Sequence, residues 1–239
     1  MRSAHGFAVL ALSFGFTVAL PVAASTATAS YPQMAPIAEY LIADRQTEID
    51  LARSAAPPAI SNNATVLVLT LHGYETAATG TNGFTCLIER SWENAFDNAE
   101  FWNAHMRAPV CYNASATRSV LPYTVFRAKM ILAHVGKTEL LRRLRAAIAD
   151  KKLPRLEAGS MAYMMSKQQY LNDGAKVWYP HVMVYAPENA GARGGESWGA
   201  NRPGSPVVLD TSDRIMPEPW TLFFIPVGTW SDKSAAPAS

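Results

Sequence analysis

The stretch TVLVLTLHGYETAATGTNGFTCLIERSW, residues 65–92, decides the fold. Residues 66–71 are an almost unbroken run of β-branched residues and leucine, bounded by Asn62-Asn63 and Gly73. A run of that length suits a strand buried on both faces. Asn82-Gly83 precedes a second β-prone run, 84–92. Asn-Gly is the strongest short hairpin signal, because both central positions of a type I′ turn need φ > 0. The spacing predicts a hairpin turning at Asn82-Gly83, with Glu75 facing Arg90 and with His72 and Glu89 sharing the other face. A longer loop would shift these pairings. Glu75 and Arg90 then read as a cross-strand ion pair, and His72 beside a carboxylate as a candidate general base or ligand.

Two cysteines frame the next segment. Cys86 lies within the second run and Cys111 about 25 residues on. They lack a CxxC spacing or a flanking histidine, so a disulfide is the expected use in an oxidising compartment. Closing that loop would stabilise the fold by about 3.5 kcal/mol on the chain-entropy estimate.

The N-terminus points to such a compartment. Met1-Arg2 is a short positive region, 7–20 is apolar, and Pro21-Val22-Ala23-Ala24 offers a small-residue cleavage site, with Ala27-Thr28-Ala29 as a second. Residues 1–24 read as a signal peptide, which leaves a periplasmic or extracellular chain after cleavage near Ala24. No later run is long enough to span a membrane. The 21 basic and 19 acidic side chains give a net charge of +2, a balance that argues against a general nucleic-acid binder.

Outward from 65–92 the chain reads as one domain, 25–230, with a flexible small-residue tail over 231–239. A helix is expected over 36–56 and an irregular aromatic segment over 93–121, which packs on the core or lines a cleft. A helix pair follows, opened by Pro122 and divided at Gly136, with the stripe Tyr123, Phe126, Met130 and His134 on its first member. The span 118–155 holds ten basic residues against Glu139 and Asp150. This is a solvated face, or a surface for weak contact with an anionic membrane. Strands are expected over 160–166, 178–186 and 220–227, and Asp173-Gly174 predicts a second hairpin in which Ser166 faces His181 and Met164 faces Met183. The Gly- and Pro-rich stretch 187–218 reads as a long loop. The fold class is α+β: a mostly antiparallel sheet with helices packed on one face.

No HExxH, glycine-rich phosphate loop or CxxC is present. The first functional reading is therefore a disulfide-stapled domain that binds a small molecule or an envelope component, with the aromatic segments as its surface. An acid/base hydrolase would use His72 with Glu75 or Glu89, or Ser166 with His181, although Ser opposite His is also an ordinary polar sheet pair. A Cu(I)-handling protein would use Met164, His181 and Met183, since thioether and imidazole suit that ion. Strand alternation separates Met164 from Met161 and Met165.

The runs EIDLARSAAPPAIS, NGFTCLIERSW, YMMSKQQYLND, WYPHVMVYAP and WGANRPGSPV together resemble a group of uncharacterised exported bacterial proteins, over about residues 36–230. The resemblance implies a bacterial, exported chain. It supplies no catalytic residue, and the cofactor stays unassigned.

Overall fold

Residues 31–187, 207–210 and 216–236 are described by the computed structural model. The expected leader, most of 187–218 and the last three residues lie outside them. Thr65–Thr70 forms β1, with Val66 and Val68 on one face and Leu67 and Leu69 on the other. The turn expected at Asn82-Gly83 forms earlier. β1 pairs with β2 (Gly73–Ala78) in a tight hairpin through Leu71-His72. Gly73 has φ +120, so it lets the chain reverse as soon as the apolar run ends.

The chain then passes from β2 across the start of β1 to β3 (Thr85–Glu89), which runs parallel to β1 at Thr65↔Thr85 and Val66↔Cys86. Gly80 makes the crossing possible: a Cβ there would lie 2.2 Å from the backbone of Ala64 and Thr65. Asn82-Gly83 belong to this crossing, with Gly83 at φ +77. Glu75 and Arg90 therefore do not meet. Glu75 is exposed and accepts from Thr70 Oγ1 at 2.9 Å.

Arg90 is fully buried and paired to Glu48 at 2.9 Å. Where β1 and β3 part, these two side chains replace the missing ladder. Glu48 Oε1 accepts from Leu69 N at 3.0 Å, and Arg90 donates to the carbonyls of Ile88 and Tyr40 at 2.6 and 2.7 Å. The Leu69 N–H and the Ile88 and Tyr40 carbonyls thus keep partners.

β3 pairs antiparallel with β4 (Ala108–Tyr112), so the segment 93–121 is less irregular than its composition suggests. Phe96, Phe101, Trp102 and Tyr112 are core residues. Cys86 stands opposite Cys111 and the two form a disulfide. Beyond β4 come β5 (Met161–Met164), β6 (His181–Pro187) and β8 (Trp220–Pro226), with β7 (Val207–Asp210) at the edge. The single sheet has the order β2-β1-β3-β4-β5-β6-β8-β7, antiparallel except at β1/β3. The fold class is α+β.

The expected helix over 36–56 is divided into α1 (Ile37–Tyr40) and α2 (Arg45–Arg53), with α3 (Pro58–Ser61) after Pro57. Asp44 starts α2 by accepting from Thr47 N at 2.6 Å, which breaks the longer run. α4 (Ala114–Ser119) is capped by Asn113, and α5 (Leu121–Leu132) and α6 (Lys137–Ala149) are the expected pair. α4, α5 and α6 pack with Leu87, Val110 and Ala162 on one face of the sheet. Ile49 and Ala52 of α2 pack on the other face, with Cys86, Ile88 and Cys111. No helix among the described residues is long and apolar enough to cross a membrane.

Of the ten basic residues over 118–155, Arg127 is buried. Arg118 pairs with Glu157, Arg142 and Arg143 with Glu139, and Lys152 with Asp150. The tail expected to be flexible from Ser231 is tied down as far as 236. Ser231 N donates to Met165 O at 2.9 Å, Ala236 N to Gly228 O at 3.0 Å, and Asp232 pairs with Lys167.

Candidate functional site

The face that carries Leu87 and Val110 also carries Glu89, Tyr112, Met164, His181, Met183, Tyr185, Leu222 and Phe224, because the ladders hold every second residue on one side. α5, the segment 94–106 and the loop 165–180 rise around this face and leave a cavity of about 820 Å³. Its walls are mainly apolar and aromatic, with Tyr123 edge-on to Trp220 at 4.7 Å and Tyr185 edge-on to the same Trp220 at 5.8 Å. Asn94, Asn98, Glu100 and Asn172 also line it, and two further polar places stand out.

The first is built around Glu89 and Arg127. Tyr112 donates its hydroxyl to Glu89, and Thr124 lies 3.4 Å from the same hydroxyl. Burial pushes the Glu89 carboxyl up to about 7, against the opposing pull of the Tyr112 hydrogen bond and the Arg127 charge. Glu89 retains some exposure, and that exposure is to the cavity it lines. Glu93 also lines the cavity, and burial raises its carboxyl well above the ordinary range. Its Oε1 finds no hydrogen-bond donor among the described residues.

Arg127, on the buried face of α5, ties this region together. It pairs with Glu218, donates to the carbonyls of Trp92 and Asn94 at 2.7 and 3.2 Å, sits 4.0 Å from Glu93, and stacks 4.7 Å over Phe96. Three carboxylates thus face one guanidinium, and no Lys or Arg among the described residues lines the cavity.

The second polar place is His181. Its Nδ1 lies 2.7 Å from Tyr179 O, and Trp178 and Phe224 flank its ring at 4.7 and 5.4 Å. A carbonyl only accepts, so Nδ1 carries the proton and Nε2 the lone pair. That Nε2 is buried and has no partner among the described residues. Burial lowers the His181 pKa, which keeps the ring neutral.

Comparisons with protein-family models, with curated proteins and with solved structures give no match.

Of the residues singled out in the sequence, Glu89, His181, Met164 and Met183 line the cavity together. His72 and Glu75 do not join them. His72 is exposed in the β1–β2 turn and its backbone N–H donates to Thr70 Oγ1 at 3.0 Å. Ser166 does not face His181: the register pairs Met164 with His181 and Ala162 with Met183, two residues from the expected alignment.

The cause is the connection between β5 and β6, a 165–180 loop rather than a tight turn at Asp173-Gly174. Tyr170 bridges to Arg107 through both backbone hydrogen bonds, 2.7 and 2.9 Å, and holds the loop over the start of β4. Ser166 Oγ instead meets Ser54 Oγ at 2.6 Å, beside α2.

Glu93, Tyr112, Thr124, Arg127 and Glu218 carry no local motif. One signal was present for Arg127. It occupies a buried-face position of α5 with Thr124 and Ile131, one residue round from the expected stripe through Phe126 and Met130. His134 of that stripe is exposed, at φ +57 just past the helix end.

Proposed function

We propose that this chain is an exported protein that binds a small organic molecule in the cavity. The observation that carries the reading is the cavity itself, whose volume and mainly apolar, aromatic walls with few polar groups are those of small-molecule sites. The ligand that suits it has an apolar body, packed against Tyr123, Trp220 and Leu222, and a hydrogen-bonding polar end toward Glu89 and Glu93. Export is supported by the leader-like residues 1–24, by the resemblance to exported bacterial proteins, and by a disulfide of the kind that persists in oxidising compartments.

The test is the native mass of the protein purified from its own cell envelope, set against its denatured mass. An N-terminus near Ser25 and an extra mass lost on denaturation are the expected results. A bare chain that also takes up nothing from a small-molecule extract of the same cells overturns the binding reading, and retention of residues 1–24 overturns export.

A second reading, an acid/base enzyme, rests on one observation: Glu89 offers the cavity a carboxyl that exchanges its proton near neutral pH and is held by Tyr112. It predicts turnover that Glu89→Gln abolishes while the ligand stays bound.

A further inference from the structure

We propose that Met164, His181 and Met183 form a binding site for one monovalent soft metal ion, Cu(I). The site lies at the His181 end of the cavity and does not depend on an organic ligand.

The placement comes from the ladders. Met164 is the direct cross-strand partner of His181, and Met183 follows two residues along β6 on the same face. All three line the cavity. Side chains directly opposite in an antiparallel pair have Cβ atoms about 4.5–5.5 Å apart. The two thioether side chains therefore start from positions next to one imidazole, one across the ladder and one along the strand. Met161 is excluded, because alternation puts it on the other face.

The imidazole is already arranged as a ligand. Tyr179 O fixes the tautomer and the ring orientation through Nδ1, the outer support that metal-binding histidines use. Nε2 is left with its lone pair, buried and without a partner among the described residues. A buried acceptor without a donor is unfavourable, and a metal ion would use the lone pair that no donor among the described residues takes. Tyr185 donates weakly to Met183 Sδ at 3.9 Å, which orients that thioether and leaves its second lone pair.

The chemistry of the set selects the ion. Two thioethers and one neutral imidazole suit a soft monovalent metal, whereas Zn(II) and harder ions prefer thiolate, carboxylate or several imidazoles. Among the described residues no group of three His, Cys, Asp or Glu stands close enough to hold a metal. Glu89 stands on β3, three strands from β6, roughly 14 Å away at the usual strand spacing. The rings of Trp178 and Phe224 pack against the His181 ring and hold it in place.

The test is anaerobic titration of the disulfide-intact protein with Cu(I) against a chromogenic Cu(I) chelator, followed by X-ray absorption on the loaded protein. The expected result is one Cu(I) per chain with two sulfur ligands and one nitrogen ligand, and no uptake of Zn(II). Loss of one outer-shell partner of a metal site costs 10–100-fold in affinity, so M164L/M183L, which keeps the side-chain volume, is expected to lose at least about a hundredfold.

Failure to hold Cu(I) against the chelator overturns the proposal. So does a wild-type metal shell without sulfur, or an affinity unchanged in a folded M164L/M183L. None of these outcomes touches the organic-ligand reading, which is decided by a bound mass of different size.

Discussion

Glu89 sits between groups that pull its proton in opposite directions, and burial wins. With its carboxyl at about 7 against an ordinary 4.5, the folded chain keeps a proton that the unfolded chain has released between those values. Stability then falls as pH rises from about 4.5 to about 7, because the unfolded state binds fewer protons there. Urea unfolding of Glu89→Gln at pH 5 and pH 8 is expected to show less of this fall than the parent, and identical falls would remove Glu89 as its source. Arg127 is the opposite case, a charge kept in the interior by its partners. Replacing it with Met removes the charge that faces Glu218, and breaking a buried pair from one side costs about 3–5 kcal/mol, to be read in the urea midpoint. Of the site's side chains, Glu89, His181, Met164 and Met183 were legible as chemistry-bearing residues on strands. Glu93, Tyr112, Thr124 and Glu218 were not, because segments far apart in the chain supply them and no spacing relates them.

The crossing at 79–84 is an element-scale feature that rests on one residue. Any side chain at Gly80 runs into the backbone of Ala64 and Thr65, which cannot yield as a flexible side chain would. Gly80→Ala is therefore expected to cost more than about 3 kcal/mol or to prevent folding, by circular dichroism and denaturant unfolding. Gly136→Ala meets nothing within 4 Å and serves as the near-neutral control. The helix pair was legible because Pro122 and Gly136 punctuate it and its apolar positions repeat at helical spacing. The strands were legible as apolar runs. Their connections were not: Asn82-Gly83 and Asp173-Gly174 both read as tight hairpins, yet the first lies in a crossing and the second in a loop anchored on Arg107. Local turn chemistry reports that a chain can bend, and the packing around it decides how far it travels first.

At the scale of the molecule, the disulfide joins the neighbouring strands β3 and β4 on the face opposite the cavity, under α2, where Cys111 Sγ lies 3.8 Å from Ala52 O. The double variant C86A/C111A is expected to lose about 3.5 kcal/mol by loop entropy alone, measured as the difference in urea unfolding free energy. The pairing was legible from two cysteines and the leader-like residues 1–24. Its position opposite the cavity was not, since that depends on which face each strand presents. The same ladder that aligns Cys86 with Cys111 aligns Glu89 with Ala108 and Thr85 with Tyr112. A slip of one residue would turn Glu89 and Tyr112 out of the cavity, and the covalent bond forbids it. Oxidation is thus a clock as well as a clamp. In a chain that has not yet met an oxidant only the backbone ladder and the packing oppose that slide, and the register becomes permanent when the bond closes.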